Sequence, residues 1–304
     1  MSHKKLIKEE HFGIARKIVS NMTAESWETI PHAVVSYEPE ATQLLKVIDE
    51  INEGRAKEER LTINTVMLRV IVEGLKACPA LNAHLEFNRK LVRGCVKTYE
   101  NIDVSMPMIL KTGEMMTINM HNMQDKTITE MRDAIADSTR RANNSDMNEV
   151  MFEVSLDNTL TGLKQGKIMQ TINRLIGSKT GKHKVKTLTG QAKKDYYAIP
   201  ATERLTKHDI EQGTITISNL GSACRDWNGL CTILEIIPPQ VCAIGIGAKQ
   251  LVPIADPDGT VRAGYKIPLT ICIDHRALDM GDVTPFMTKL NEIFRNPEMI
   301  KEWV

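Results

Sequence analysis

Four β-prone runs crowd the stretch after Gly213, at Thr214 to Ser218, Thr232 to Ile236, Val241 to Ile246 and Ile267 to Ile273, and they constrain the fold more than any other feature. Their Val, Ile and Thr side chains suit a pleated, half-buried surface. An amphipathic helix is predicted to follow from about Val283 to Phe294. Ahead of Gly213 the two periodicities alternate. Ile7, Ile14 and Ile18 recur at helical spacing and predict a helix over Leu6 to Val19, ending near Asn21, while Ala33 to Tyr37 predicts a strand. Glu40 to Ile51 carries Leu44, Leu45, Val47, Ile48 and Ile51 on one helical face, with Gly54 beyond it as a stop. A further helix should run from Thr62 or Asn64 to Ala77, because Pro79 forbids continuation. Ile102 to Met106 and Met115 to Met120 predict two strands joined through a turn containing Gly113. Thr127-Ile128-Thr129-Glu130 has the form of a capping box and opens a helix to about Ala142. Strands in the second half and helices to cover them imply an α/β domain with a mixed sheet.

Composition narrows the function classes. The 39 Lys and Arg residues against 38 Asp and Glu leave a net charge of +1, so no global field favours nucleic acid or an anionic membrane. Aromatics make up only 4% of the chain, which argues against a base-stacking surface. No apolar run approaches the length of a membrane span and the N-terminal stretch lacks the apolar core of a signal peptide, so a cytoplasmic address is expected. The six cysteines, Cys78, Cys95, Cys224, Cys231, Cys242 and Cys272, form no Cys-x-x-Cys pair and read as reduced, packed thiols; no metal is expected.

Between about 143 and 206 the pattern changes and an insertion is expected, with a helix over Ile168 to Ile176 and a Lys-, Gly- and Thr-rich stretch from Gly177 to Lys194. Gly177-Ser178-Lys179-Thr180-Gly181-Lys182-His183 invites comparison with a phosphate-binding loop. It has three residues between the glycines where that loop has four, and His183 where a hydroxyl should hold magnesium, so nucleotide hydrolysis is not expected. The lysines Lys179, Lys182, Lys184, Lys186, Lys193 and Lys194 read either as a solvated loop or as contacts to coenzyme phosphates or an acidic partner.

The segment that carries chemistry is Ile271-Cys272-Ile273-Asp274-His275-Arg276-Ala277-Leu278-Asp279-Met280-Gly281, where a β-prone run ends abruptly in charged residues. Histidine is the side chain whose ordinary pKa suits proton transfer near neutrality, and a carboxylate four residues on can fix its geometry if the chain turns. A His and an Asp at this spacing also serve as a purely structural pair. A second segment, Gly213-Thr214-Ile215-Thr216-Ile217-Ser218-Asn219-Leu220-Gly221, precedes Ile237-Pro238-Pro239-Gln240. On its own, Ser218 at a strand end reads as a turn residue.

Taken together and in order, these three segments resemble the catalytic domain of the dihydrolipoamide acyltransferases of 2-oxoacid dehydrogenase complexes, within the chloramphenicol acetyltransferase-like superfamily. The family pattern is T-I-S-N-L-G, then N-P-P-Q, then D-H-R-x-x-D-G; here Ile237 replaces the usual Asn. Weaker similarity reaches back through Ile14 to Lys17, Ile30-Pro31-His32, Thr62 to Asn82 and Ile102 to Ser105.

The resemblance implies a two-layer sandwich, a mixed β-sheet with helices mainly on one face, formed by a single catalytic domain over 1–304; the insertion at about 143–206 and the expected lack of a lipoyl or subunit-binding domain are departures from the family. It implies acyl transfer between coenzyme A and dihydrolipoamide, the lipoyl group being supplied in trans by a lipoyl-bearing protein and the other 2-oxoacid dehydrogenase components acting as partners. The alternatives are an acetyl-CoA-dependent O- or N-acyltransferase acting on a small molecule, and a non-catalytic scaffold subunit of a multienzyme complex. By resemblance His275 is the base that takes the thiol proton, Ser218 donates to the oxyanion, and Asp279 steadies the site through a salt bridge whose partner is Arg16, Lys17 or Arg276. Asn219 fixes the turn after Ser218. A homotrimer is implied, with His275 from one subunit and Ser218 from its neighbour, and larger shells are possible. The chain departs from the pattern at Asp279-Met280-Gly281, where the family has Asp followed directly by Gly; Met280 either displaces the turn or narrows the thiol channel.

Overall fold

Three of the four strands expected after Gly213 and the two expected between Ile102 and Met120 are neighbours in one sheet. The computed structural model describes residues 5–109, 113, 115–154, 169, 172, 176, 187–224 and 226–304. The fold divides into two units, one of residues 1–24 and 140–210, the other of residues 25–139 and 211–304.

The second unit is built on a six-stranded sheet of β1 (His32–Tyr37), β4 (Val104–Ile109), β5 (Met115–Met120), β6 (Ile215–Asn219), β7 (Cys242–Ile246) and β10 (Leu269–Asp274), in the order β1-β10-β7-β6-β4-β5. β6 runs parallel to β4 and β7, and the remaining pairs are antiparallel, so the sheet is mixed. Gly113, in the β4–β5 turn, takes φ 83°, a conformation that favours glycine. Two hairpins, β2 (Ala83–Asn88) with β3 (Arg93–Thr98) and β8 (Gln250–Ala255) with β9 (Val261–Lys266), stand apart from this sheet.

Strand alternation sends Leu269, Ile271 and Ile273 of β10, Cys242, Ile244 and Ile246 of β7, and Ile215 and Ile217 of β6 into one apolar core. That core is closed by α2 (Thr42–Ile51), α3 (Ile63–Ala77) and α8 (Met280–Arg295), through side chains such as Leu44, Val70, Phe286 and Leu290. α3 starts where the side chain of Thr62 accepts from the Thr65 N–H, and stops before Pro79. Gly74 lets α3 and α8 approach closely, since a Cβ there would lie 2.6 Å from Leu290 and Phe286. On the other face of the sheet Cys272 and Ala243 meet Ile30 and Ile236. Helices therefore cover mainly one face, the two-layer α/β arrangement anticipated above.

Several boundaries differ from expectation. The first helix is α1 (Ile14–Thr29) rather than Leu6 to Val19: residues 5–13 are not helical, and the helix runs through Asn21, where no breaker stands. Thr232 to Ile236 is not a strand. Its β-branched residues pack against the open sheet face instead of pairing, with the Ile236 N–H bonded to His32 Nε2 (3.1 Å) and its carbonyl to the buried Ser26 hydroxyl (2.7 Å).

The first unit holds Ile14–Ala24 of α1, a helical stretch at 147–154, α5 (Gly190–Ala198) and α6 (Lys207–Ile210), with α4 (Ile128–Asn143) entering it at Arg140. The capping box at the start of α4 forms: the Thr127 N–H donates to Glu130 (2.8 Å) and the Glu130 N–H to the Thr127 hydroxyl (3.2 Å). Arg141 grips Asp209 with both Nη atoms, at 2.8 and 2.7 Å. The glycine- and lysine-rich loop Gly177 to His183, with Lys184 and Lys186, lies outside the described residues, as does most of the helix expected over Ile168 to Ile176.

Candidate active site

β10 ends at Asp274 and the chain turns at once. The buried Asp274 carboxylate accepts from the Arg276 N–H (3.0 Å) and from the Arg276 guanidinium at Nε (2.9 Å) and Nη2 (2.6 Å). Its backbone carbonyl accepts from the N–H groups of Ala277 (2.9 Å) and Leu278 (3.1 Å). The turn is therefore pinned from its first residue, and His275 is carried on its outer side, its own N–H donating to the Pro31 carbonyl (3.0 Å).

The imidazole is 55% exposed, so backbone contacts rather than packing orient it. Nδ1 lies 3.0 Å from the Leu278 carbonyl oxygen. A carbonyl can only accept, so Nδ1 carries the hydrogen and Nε2 keeps its lone pair. Asp279 Oδ1 stands 3.3 Å from the same Nδ1 and favours that tautomer. Nε2 is then a base facing outward, the form that can take a proton from a thiol or hydroxyl.

Asp279 also begins α8. It is the N-cap residue, in a capping box with Asp282, whose carboxylate accepts from the Asp279 N–H at 2.7 Å. Met280 is thus the first helical residue, half exposed, and Gly281 follows where a Cβ would meet nothing within 4 Å. Met280 does not open the turn: the helix starts on it, a position that places no demand for glycine.

Of the three candidate partners for Asp279, the structure removes Arg276. The guanidinium of Arg276 is committed to Asp274, not to Asp279, and its Cζ also sits 5.8 Å from the ring centroid of Phe87 on β2. Arg16 and Lys17, the other two candidates, lie on α1 in the first unit.

Ser218 is half-buried near the end of β6. No hydrogen bond to its hydroxyl is found among the described residues, which leaves that O–H available to a ligand. Asn219 accepts from the Ser222 N–H (3.0 Å) and caps the short α7 (Leu220–Ala223). Within one chain the structure does not bring Ser218 and His275 together. Ser218 is level with Gly245 and, through it, with Thr270, whereas His275 follows Asp274 at the far end of the same β10. Four residues of strand separate Thr270 from Asp274, about 14 Å, and two strand spacings add about 10 Å sideways.

The end of the sheet that carries His275 is a polar, well-bonded region. Gln240 is buried, receives the Thr216 hydroxyl (2.6 Å) and donates to the Gly213 carbonyl (2.8 Å). His84 Nε2 shares that carbonyl (3.2 Å), and burial pushes the His84 imidazole below its usual range. The β2–β3 hairpin is fastened here through Leu85 N–H to the Pro239 carbonyl (2.8 Å) and Val241 N–H to the Ala83 carbonyl (3.2 Å). Side-chain chemistry could not have revealed the Leu278 carbonyl. Asp274 and Arg276 were signalled only by standing on either side of the histidine. Among the described residues no group of three or more His, Cys, Asp or Glu is placed to hold a metal ion, and no helix is long and apolar enough to cross a membrane.

Known proteins resemble this sequence and share this fold. Over 288 residues the chain is 22% identical to the dihydrolipoyllysine-residue acetyltransferase component of the pyruvate dehydrogenase complex of Rickettsia conorii, covering 94% of this chain and 53% of that protein. The chain thus spans about half the length of the curated relatives it matches. Among solved structures, the dihydrolipoamide acetyltransferase of Azotobacter vinelandii superposes with a TM-score of 0.67 at 15% identity, covering 97% of this chain and 94% of that one. The probable dihydrolipoamide acetyltransferase of Listeria monocytogenes does so with a TM-score of 0.64 at 17% identity, covering 95% and 94%. Residues 4–155 and 184–301 match the profile of one family, and the chain belongs to it: the 2-oxoacid dehydrogenases acyltransferase (catalytic domain) family.

Proposed function

We propose that this chain transfers an acyl group between coenzyme A and a dihydrolipoyl thiol presented by another polypeptide. The observation that carries the reading is the His275 imidazole, bonded at Nδ1 to the Leu278 carbonyl (3.0 Å) and open at Nε2. A thiol titrates near about 8.5, so at neutral pH most of it is protonated and a positioned base raises the fraction able to attack. Nε2 takes the thiol proton as sulfur adds to the acyl carbonyl. The tetrahedral oxyanion then needs a donor, and the uncommitted Ser218 hydroxyl supplies one. Collapse breaks the carbon–sulfur bond to coenzyme A, and His275 returns the proton to the departing thiolate.

Because Ser218 and His275 stand at opposite ends of one sheet, a single chain holds two half-sites. The reading therefore includes a homotrimer in which His275 of one subunit faces Ser218 of the next. Relatives named as components of pyruvate dehydrogenase complexes support 2-oxoacid dehydrogenase components and a lipoyl-bearing protein as partners. In this reading the whole chain is one catalytic domain, interrupted by the insertion at about 143–206. Asp279 acts on geometry, through Nδ1 and the start of α8.

The test is thioester exchange between acetyl-CoA and dihydrolipoamide, followed for wild type, His275→Ala and Ser218→Ala. Activity that survives both substitutions removes the mechanism. Exchange with hydroxyl or amine acceptors but not with dihydrolipoamide moves the substrate class to a small molecule, and no exchange from a folded protein makes the chain a scaffold.

A further inference from the structure

We propose that the buried Asp274–Arg276 ion pair, backed by Phe87, is a positioning device for His275: it fixes the Leu278 carbonyl that holds Nδ1 and so aims Nε2 at the substrate. The proposal rests on the reading of His275 as the base. Its starting point is a mismatch of burial. Asp274 is fully buried, yet the imidazole next to it in sequence is more than half exposed and has no packing shell of its own. Within its own chain, the precision of the imidazole comes from the turn beneath it.

That turn converges on one residue. The N–H groups of Arg276, Ala277 and Leu278 all point at Asp274, the first at its carboxylate and the other two at its carbonyl. The Leu278 N–H is held there, and the carbonyl of the same residue lies 3.0 Å from Nδ1. A buried carboxylate without a counter-charge is costly, and here the counter-charge is supplied two residues along by a forked guanidinium. An asparagine would accept the Arg276 N–H equally well, so the charge serves to hold the guanidinium.

The guanidinium ties the turn to a second element. Arg276 lies over Phe87, Phe87 sits on β2, and β2 is bonded to Pro239 and Val241. The Val241 carbonyl accepts from the Asp274 N–H (2.8 Å), which closes the circuit from Asp274 through the segment just before β7 and the hairpin back to Arg276. A closed circuit of this kind resists rotation of the turn, and a misplacement of about 1 Å in a reacting group costs on the order of a hundredfold in rate.

The experiment uses the full chain and compares wild type with Arg276→Met, Arg276→Lys and Asp274→Asn. It reads kcat and KM for acetyl-CoA, the thermal transition, and the nitrogen-15 signals of the His275 imidazole. In the wild type one tautomer with hydrogen on Nδ1 is expected. Arg276→Met should remain folded, lose about 10- to 100-fold in kcat with KM changed by no more than about twofold, and show mixed tautomers. Arg276→Lys, which keeps the charge without the fork, should fall between. A folded Arg276→Met protein with one tautomer and wild-type kcat overturns the proposal, as does a loss confined to KM or melting. If Asp274→Asn does not fold, the Arg276 pair decides. Should folded wild type transfer no acyl group to any acceptor, the reading of the site fails, while the tautomer measured on that inactive protein still decides the positioning claim.

Discussion

Ser218 stands level with Thr270 at one end of β10, and His275 leaves β10 at the other, so the hydroxyl and the imidazole of one chain cannot meet on one substrate. Complementation between inactive variants follows. His275→Ala alone should lose about 10²- to 10⁴-fold and Ser218→Ala about 10²- to 10³-fold. Unfolded together in equal amounts and refolded, the two should regain roughly a quarter of wild-type exchange, because a quarter of subunit pairs then join an intact imidazole to an intact hydroxyl. Exchange no higher than that of either variant alone would exclude a site shared between subunits.

Asp279 has two jobs that different substitutions separate. Asparagine keeps an N-cap for α8, whereas alanine removes it, so Asp279→Ala should lower stability by about 1 kcal/mol and Asp279→Asn by a few tenths. The charge facing His275 Nδ1 is lost in both. With the aspartate 82% exposed, that charge is screened, and the Asn variant should keep exchange within about tenfold of wild type. Denaturant titration alongside the exchange assay checks both; a larger loss in the Asn variant than in the Ala variant would be inconsistent with this division.

How much of this was legible in sequence depends on whether the deciding interaction is periodic. The β-prone run at Ile267 to Ile273 and the stop at Pro79 located β10 and α3, because β-branched side chains and a missing N–H leave marks in the residues themselves. The segment at Thr232 to Ile236 carries the same β-branched mark and is not a strand, since sheet pairing is a non-local event that composition does not encode. Likewise the motif around His275 pointed to the base. Its orientation depends on a main-chain carbonyl, and the choice of Asp274 over Asp279 by Arg276 depends on which carboxylate the turn buries.

Thiol reactivity should separate the cysteines by burial. Cys242 and Cys272 lie on β7 and β10 inside the sheet, and burial raises both thiols, Cys272 to about 11 and Cys242 well above its ordinary value. Cys95 and Cys224 are exposed. In native protein at pH 8, iodoacetamide should label Cys95 and Cys224 within minutes and leave Cys242 and Cys272 unmodified until denaturant is added, as read by peptide mass spectrometry. Early labelling of Cys272 would mean that the covering segment at 233–236 opens readily.

The first unit should be acid-sensitive at Asp209. Burial pushes that carboxyl up, but the Thr206 N–H and hydroxyl and the Arg141 guanidinium outweigh it and hold the group below its ordinary 3.8. A folded-state value below the unfolded one means that the unfolded chain binds more protons, so this stability is present above about pH 4 and is lost as pH falls through the lowered native value. Arg141→Met should therefore weaken protection of the amides at 140–150 and 203–210 by about 3 kcal/mol near pH 7, where it strands a buried carboxylate. The gap to wild type should shrink in acid, because a protonated Asp209 no longer needs its guanidinium. Hydrogen exchange run in parallel at pH 7 and, after acid pre-equilibration, at pH 3 measures that gap, and a gap independent of pH would show that the Arg141 side chain acts by packing and not by charge.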